Sequence, residues 1–159
     1  MKTRLSLFTA MLCVLCFSAT LFAQKKLTPE VISEFGTKTF NAEKDTIFRI
    51  VKTVLISHDY VIDIENAKKG IIKTRRKDIG ASGQASYGMN SSSAQIRSNY
   101  RQYNVTVEEI EKGKTKVVFI PKIYIGDADM SEEKIWVFKG AAGEYKLWEG
   151  LFKEIEEHL

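Results

Sequence analysis

Residues 38–75 read KTFNAEKDTIFRIVKTVLISHDYVIDIENAKKGIIKTR and contain the clearest local pattern in the chain. Apolar residues between Ile47 and Leu55 recur at spacings of three and four. This spacing places them on one face of a helix, so residues 41–58 are predicted to form an amphipathic helix with Asn41 as its N-cap.

The second half of the same segment predicts a β-hairpin. Residues 60–65 alternate between apolar and polar side chains, which is the period of a half-buried strand. Residues 66–70 predict a turn, in which Gly70 is free to adopt a positive φ. Residues 71–77 then form the returning strand.

The segments on either side extend this pattern. Thr28 and Pro29 are suited to open a short helical turn that Gly36 ends, and residues 37–40 read as a short strand. Further along, residues 100–110 predict a strand with one apolar face. That face carries Tyr103, Val105 and Val107.

A second hairpin and a second helix follow. Residues 111–114 predict a turn and residues 115–125 a strand, in which Pro121 indicates an edge position or a bulge. An acidic loop leads to residues 134–139, which read as a short strand or as the approach to a helix within residues 140–159. The apolar stripe of this helix is Tyr145, Trp148, Leu151, Phe152, Ile155 and Leu159. The charged residues expected on its solvent side are Glu144, Glu149, Lys153, Glu154 and Glu156.

Residues 79–98 differ from the rest of the chain because they are rich in glycine and serine and poor in large apolar side chains. We interpret them as a long loop between two strands, a type of segment that is often functional or disordered. The predicted fold is therefore α+β: a two-layer sandwich, with an antiparallel sheet of four to five strands and two amphipathic helices on one face. Residues 24–159 are expected to form one domain.

The first 23 residues have the layout of a secretory signal peptide, with Lys2 and Arg4 before a long apolar run. Cleavage after Ala23 predicts a periplasmic or secreted protein, and association with the envelope is compatible with this location. An uncleaved membrane anchor is the alternative. Both cysteines of the chain lie within this run, so the mature protein would have no thiol. Loss of the two basic residues lowers the formal charge from +4 to +2, which gives no argument for binding nucleic acid.

Residues 38–75 also resemble a pattern that recurs in bacterial envelope proteins, where a helix runs into a Tyr-x-Ile strand, a turn and a Gly-x-Ile-x-Thr strand. The residues that carry this likeness are Phe48, Val51, Leu55, Tyr60, Ile62, Gly70, Ile72 and Thr74. The pattern is similar to the helix-grip domains of the outer-membrane assembly lipoprotein BamC and related small envelope proteins. Because these positions are core and turn residues, the resemblance implies a fold but no catalytic residue.

The sequence offers little support for catalysis or for a cofactor. Only His58 and His158 are present, so a histidine-based zinc site lacks ligands, and we expect neither metal nor cofactor. The acidic residues 126–133 lack the central glycine of a calcium loop. No Gly-x-Ser-x-Gly motif accompanies the serines. A pair of carboxylates is defined in space rather than in sequence, so a small carboxylate-based hydrolase or transferase stays open as an alternative.

One cluster of residues suggests a binding surface. If residues 71–77 pair with residues 100–110, basic and aromatic side chains gather at one end of the sheet beside the expected loop. The candidate binding residues are Arg75, Arg76, Lys77, Arg97, Arg101, Tyr87, Tyr100 and Tyr103. Arginine and tyrosine recognise anionic groups and anchor interfaces, although charge at strand ends also keeps sheets soluble.

These observations favour a non-enzymatic envelope protein that acts as a binding or assembly module. The expected partner is another envelope protein, or an anionic cell-wall or lipid head group. Contact with a membrane is expected only if residues 1–23 are retained.

Overall fold

The computed structural model describes residues 27–88, 91–131 and 143–159. The predicted signal peptide and the strand expected at residues 134–139 lie outside these ranges. The described residues form three helices and seven strands: α1 Pro29–Phe35, β1 Thr37–Phe40, α2 Lys44–Ser57, β2 Ile62–Asn66, β3 Ile71–Thr74, β4 Lys77–Gly88, β5 Ser91–Glu111, β6 Lys114–Ile125, β7 Ala128–Asp129 and α3 Glu144–Glu157. None of these three helices combines the length and the apolar character needed to span a bilayer.

All seven strands belong to one antiparallel sheet, which confirms the predicted α+β class. The strand order is β1-β6-β5-β3-β2, while β4 pairs with β5 and β7 pairs with β6. Strands β3 and β4 therefore follow one another along the same side of β5. The sheet has more strands than the four to five expected.

The hydrophobic core lies between one face of this sheet and the helices. Helix α2 packs on β5 and β6 and also contacts α3. The residues of α2 that the spacing placed on its apolar face are all buried: Ile47, Phe48, Ile50, Val51, Val54 and Leu55. On α3, Trp148, Leu151, Phe152 and Ile155 are buried in the same core, whereas Leu159 is exposed. The Phe152 ring meets that of Phe119 on β6 edge to face, with 5.4 Å between ring centroids. Burying a side chain of this size contributes about 1.5–3 kcal/mol.

The expected loop at residues 79–98 is instead part of a long β-hairpin, so the prediction was wrong. Strands β4 and β5 pair from Lys77 opposite Arg101 to Gly88 opposite Ser91. Glycine and serine have low strand propensity, which is why the sequence indicated a loop. The sheet overrides this local preference because β5 is already held by β6 over residues 99–111, and the ladder continues past that point.

Gly70 holds the turn of the first hairpin against the neighbouring strand. Its φ is +66°, as the sequence predicted. The Val107 amide donates a hydrogen bond of 2.8 Å to the Gly70 carbonyl. A Cβ at this position would lie 1.9 Å from the Val107 carbonyl oxygen. The turn therefore requires glycine both for its backbone conformation and for this close approach.

Three local details differ from the sequence prediction. Helix α2 begins after Glu43, so Asn41 is not its N-cap. A bulge between Ile62 and Ile64 interrupts β2, which leaves Ile64 exposed although its alternation had placed it with Tyr60. Pro121 lies within β6 opposite Tyr103, between the stretch that pairs with β1 and the stretch that pairs with β7. Its missing amide hydrogen therefore disrupts no described strand ladder.

Candidate functional site

The strand pairing behind the predicted basic cluster is present, but it divides the cluster between two faces of the sheet. The strand predicted at residues 71–77 is interrupted: residues 71–73 and Lys77 pair with β5, Arg75 and Arg76 lie between β3 and β4, and Lys77 is directly opposite Arg101. Since successive side chains of a strand point to opposite faces, Arg101 and Tyr103 lie on the helix side and Tyr100 on the other.

On the helix side, Arg101 and Tyr103 are buried with Glu144, the first residue of α3. Arg101 is 8% exposed, Tyr103 is fully buried and Glu144 is 2% exposed. The Tyr103 hydroxyl donates a hydrogen bond of 2.5 Å to Glu144 Oε1. Arg101 Nε lies 3.1 Å from Glu144 Oε2, although its N–H does not point along a hydrogen bond. This contact is a buried ion pair that ties the start of α3 to the centre of the sheet.

The electrostatics of this group follow from its burial. Burial raises the pKa of the Glu144 carboxyl above its usual 4.5, against the opposing effects of Arg101 and the Tyr103 hydrogen bond. Burial alone would lower the pKa of Arg101, but Glu144 and the two tyrosines Tyr103 and Tyr60 outweigh it and raise that pKa. Burial, reinforced by Glu144, raises the pKa of Tyr103 well above 10. Arg101 therefore stays charged and Tyr103 stays protonated at neutral pH.

Lys77 covers the outer end of this group. Its Nζ donates a hydrogen bond of 2.7 Å to the His58 carbonyl at the end of α2, and it lies 5.1 Å from the centre of the Tyr60 ring. Beside it is a small cleft of about 90 Å³, lined by His58, Tyr60, Lys77, Ile79, Arg101, Tyr103, Leu147 and Leu151. Ligand pockets usually measure about 300–1,000 Å³. The cleft is smaller than this range and has room for only a few water molecules.

On the outer face, Arg76 is held by stacking. Its guanidinium lies 3.7 Å from the centre of the Tyr124 ring and 3.6 Å from Asp127. The Tyr124 hydroxyl donates to Gln102 Oε1, and Gln102 Nε2 donates to the Thr74 carbonyl at 2.6 Å. This chain of contacts covers the break between β3 and β4, which gives Arg76 a structural role in the sheet.

The other predicted site residues are spread along the two strands. Arg75 is on the surface, with its side chain 70% exposed and its Nε 3.6 Å from Asp63. Tyr100 is half-buried opposite Tyr124, and Arg97 is exposed on β5 opposite Ser82. The backbone of Tyr87 pairs with that of Ser92 near the far end of the hairpin. The eight residues therefore do not form one surface.

Beyond the sheet, the hairpin continues as a two-stranded ribbon, which we call the hairpin arm and define as residues 81–88 and 91–98. Pairing between β5 and β6 begins at Asn99. Among the described strands, each half of the arm pairs only with the other half. Eight residues at about 3.3 Å each give an arm of roughly 25 Å. Of the arm residues whose burial the structure describes, Ala81, Gly83, Ile96 and Arg97 are exposed and Ser98 is half-buried.

The described residues do not contain a recognisable catalytic or metal-binding group. No cluster of three or more potential metal ligands occurs among them. His58 caps the C-terminal end of α2 and contacts Glu154 Oε1 through Nε2 at 2.7 Å. Ser57 also contacts Glu154, through Oε2 at 3.5 Å, and not His58. A nucleophilic triad needs the histidine between the serine and the acid, so this arrangement does not activate Ser57.

Sequence reasoning missed Glu144 and Tyr60 as members of the buried polar group. Glu144 was expected on the solvent side of α3, and the structure corrects this. The helical spacing could have predicted its burial, because Glu144 lies four residues before Trp148 and therefore on the apolar stripe. The pairing partner, Arg101, is distant in sequence and could not be identified from this spacing.

Comparison with known proteins adds little. No model of a known protein family matches the chain, and no curated protein matches it. A solved structure of a DUF4468 family protein from Bacteroides ovatus ATCC 8483 aligns with a TM-score of 0.40 and 11% sequence identity, over 77% of this chain and 83% of that chain. A likeness at this level supports no functional conclusion. The resemblance of residues 38–75 to helix-grip domains is not tested by it and stays a prediction.

Proposed function

We propose that this chain is an exported, non-enzymatic envelope protein that captures a protein partner through the hairpin arm. The observation that carries this proposal is the lack of any strand partner on either edge of the arm among the described residues. At the base of the arm the Gly126 amide donates a hydrogen bond of 2.8 Å to the Ser98 carbonyl, so the open edge begins beyond that residue. An unpaired edge presents a row of free backbone N–H and C=O groups, which an extended segment of another protein can pair with.

The composition of the arm supports the same function. Natural proteins usually protect exposed edges with charged side chains or proline. Residues 80–96 contain neither, in a chain that is 28% charged overall. A two-stranded ribbon is also only marginally stable alone in water. A partner strand would complete the hydrogen bonding of the arm and stabilise it.

Basic residues at the base of the arm would assist this capture. Arg75 is exposed on one side of the sheet, and Arg97 is exposed on the arm itself. An acidic partner segment would be attracted to these positions. Arg101 and Tyr103 do not belong to this surface because they are buried, and Arg76 is engaged with Tyr124.

The alternative of a carboxylate-based hydrolase or transferase finds no specific support in the described residues. Such an enzyme needs a pair of carboxylates that converge on a cleft. The cleft of about 90 Å³ has no carboxylate among its lining residues. A wider groove beside β2 is lined by Asp59, Asp63 and Glu65, but each of these carboxylates lies beside a cation, namely Lys77, Arg75 and Lys52 respectively. Glu144 is close by, but its oxygens are engaged with Tyr103 and Arg101.

The test is a variant with a shortened arm. Ala81 pairs with Ser98, so replacing residues 82–97 with Asn-Gly closes the hairpin with a two-residue turn. A photoactivatable cross-linking residue is placed at Gln84 or Gln95 of the otherwise intact protein, in its own cells. The matched control carries it at Glu149, on the exposed side of α3. We expect one protein adduct of the same mass from both arm positions, none from position 149, and no capture of that protein by the shortened variant.

The stability of the shortened variant is a necessary control. Because the described strands pair the arm only with itself, its melting temperature should stay close to that of the intact protein. Equal adducts from position 149, or full capture by the folded shortened variant, would overturn the proposal. Adducts with lipid or glycan in place of protein would identify an anionic envelope ligand instead.

A further inference from the structure

A second surface with the character of a binding site lies along β2, the strand at the edge of the sheet that pairs with β3. It is a shallow groove of about 640 Å³ between the end of α2 and β2, which we call the β2 groove. Its lining residues are Lys52, Ile56, Asp59, Tyr60, Val61, Ile62, Asp63 and Glu65. The volume lies within the range of about 300–1,000 Å³ that is usual for ligand sites.

The β2 groove exposes large apolar side chains. Ile56 is 53% exposed and Val61 is 57% exposed, and both line the groove. Ile64, on the same strand, is 50% exposed because of the bulge in β2. Adjacent exposed apolar residues of this kind are typical of interaction surfaces, whereas a single one would need no explanation.

The groove is bordered by an open strand edge. Strand β2 pairs with β3 on one side, and no described strand pairs with its other side. All of β2 except Ile62 is exposed. An extended segment could therefore hydrogen-bond to the β2 backbone while its side chains enter the groove.

The charged residues that line the β2 groove indicate which kind of extended segment it would bind. Three carboxylates, Asp59, Asp63 and Glu65, accompany a single cation, Lys52, which pairs with Glu65 at 2.5 Å. Lys77 and Arg75 lie beyond the groove, each 3.6 Å from one of the remaining carboxylates. Both contacts are long and partly exposed, so they are weak and can be replaced by cations of a partner.

We propose that the β2 groove binds an extended segment of a partner protein in which apolar residues alternate with lysine or arginine. The segment adds to β2 as a strand. Its apolar side chains, which point to one side, cover Ile56 and Val61, and its basic side chains reach Asp59 and Asp63. This inference goes beyond the proposed function, because the groove and the hairpin arm share no residue and each can bind without the other.

The first test uses a defined peptide as the probe. The purified protein, labelled with ¹⁵N, is titrated with acetyl-Lys-Val-Lys-Val-Lys-Val-Lys-amide, and Kd is obtained from the shifts of its amide signals. We expect the shifts to centre on Ile56 and residues 61–65. The same peptide with glutamate in place of lysine should produce no shifts. A version that is N-methylated at alternate residues on the pairing edge should bind at least about tenfold more weakly, because it cannot complete the strand ladder.

Variants separate specific binding from general attraction to acidic residues. Asp63→Lys reverses a charge in the groove and should weaken binding of the lysine peptide at least about tenfold. Ile56→Ser removes an exposed apolar contact without altering charge and should also weaken binding. Glu149→Lys reverses an exposed charge on α3 and is the matched control, for which Kd should not change. Amide spectra of each variant confirm that it is folded.

Three results would overturn the inference: no shifts along β2, shifts spread equally over the acidic surface of α3, or equal weakening by Glu149→Lys. The arm-shortened variant is expected to bind the peptide normally. Failure of the peptide experiment therefore leaves the proposal for the arm intact, and failure of the arm experiment leaves this one intact.

Discussion

Replacing Arg101 with methionine tests the buried ion pair at the start of α3. The substitution retains most of the side-chain volume but removes the guanidinium that lies 3.1 Å from Glu144 Oε2. Glu144 is then left 2% exposed with only the Tyr103 hydroxyl as a partner. Removing one member of a buried pair costs about 3–5 kcal/mol, because the remaining charge is uncompensated.

The loss should depend on pH in a defined direction. Arg101 lowers the pKa of Glu144, so its removal raises that pKa further above 4.5. A carboxyl whose pKa is raised in the folded protein takes up a proton more readily there than in the unfolded chain. Its contribution to stability is complete below the unfolded pKa and is lost as pH rises through the folded pKa. Arg101→Met should therefore be least harmful near pH 4 and most harmful at neutral pH and above.

The assay is urea unfolding at several pH values, with two comparisons. The double variant Arg101→Met, Glu144→Met removes both charges and should recover about 2 kcal/mol or more of the loss, although the Tyr103 hydroxyl becomes unpaired. Lys146→Met breaks an exposed ion pair with a shorter distance, 2.6 Å, and should change the free energy of unfolding little, because solvent screens the pair. If Arg101→Met costs no more than Lys146→Met, or if the double variant is less stable than Arg101→Met alone, the account of this pair is refuted.

Two further predictions concern single contacts, in addition to those made for the hairpin arm and the β2 groove. The raised pKa of Tyr103 means that, above about pH 10, the unfolded chain releases a proton that the folded protein retains. The contribution of Tyr103 to stability is complete below that pH and is lost as pH rises through its folded pKa. Tyr103→Phe should therefore reduce the fall of the urea midpoint at alkaline pH. An unchanged fall would contradict this prediction. At neutral pH the same substitution should cost about 1–3 kcal/mol, because Glu144 loses a hydrogen bond. Gly113→Ala, at φ +73° with open space around it, should cost about 1–2 kcal/mol of strain. Gly70→Ala, at φ +66°, should cost about 1–3 kcal/mol more, because its Cβ meets the Val107 carbonyl. Equal melting temperatures for the two alanine variants would show that the turn at Gly70 accommodates the added Cβ without further loss of stability.

Local patterns predicted the elements that form the core. The spacing of Ile47, Val51, Val54 and Leu55 is set by the helical repeat, and all four are fully buried as expected. Alternation likewise placed Tyr103, Val105 and Val107 on the buried face of β5. These predictions succeeded because the pattern and the structure both depend on residues close together in the chain.

The candidate site was less accessible to sequence reasoning. The eight basic and aromatic residues were grouped by their positions near strand ends, but the alternation of β5 separates Arg101 and Tyr103 from Tyr100. The alternation that places Tyr103 with Val105 and Val107 also separates it from Tyr100. The β2 groove had no sequence signal, because it depends on how α2 lies beside a bulged edge strand.

The sequence alone was thus sufficient to predict the helices α2 and α3, the hairpin closed by Gly70 and the α+β class, from periodicity and turn residues. Each depends on interactions between near neighbours. The strand character of residues 79–88 and 91–98, the burial of Glu144 with Arg101 and the open edge of β2 required the folded molecule. They depend on strand register and on contacts between residues far apart in sequence, and a burial environment of this kind exists only after the chain has folded.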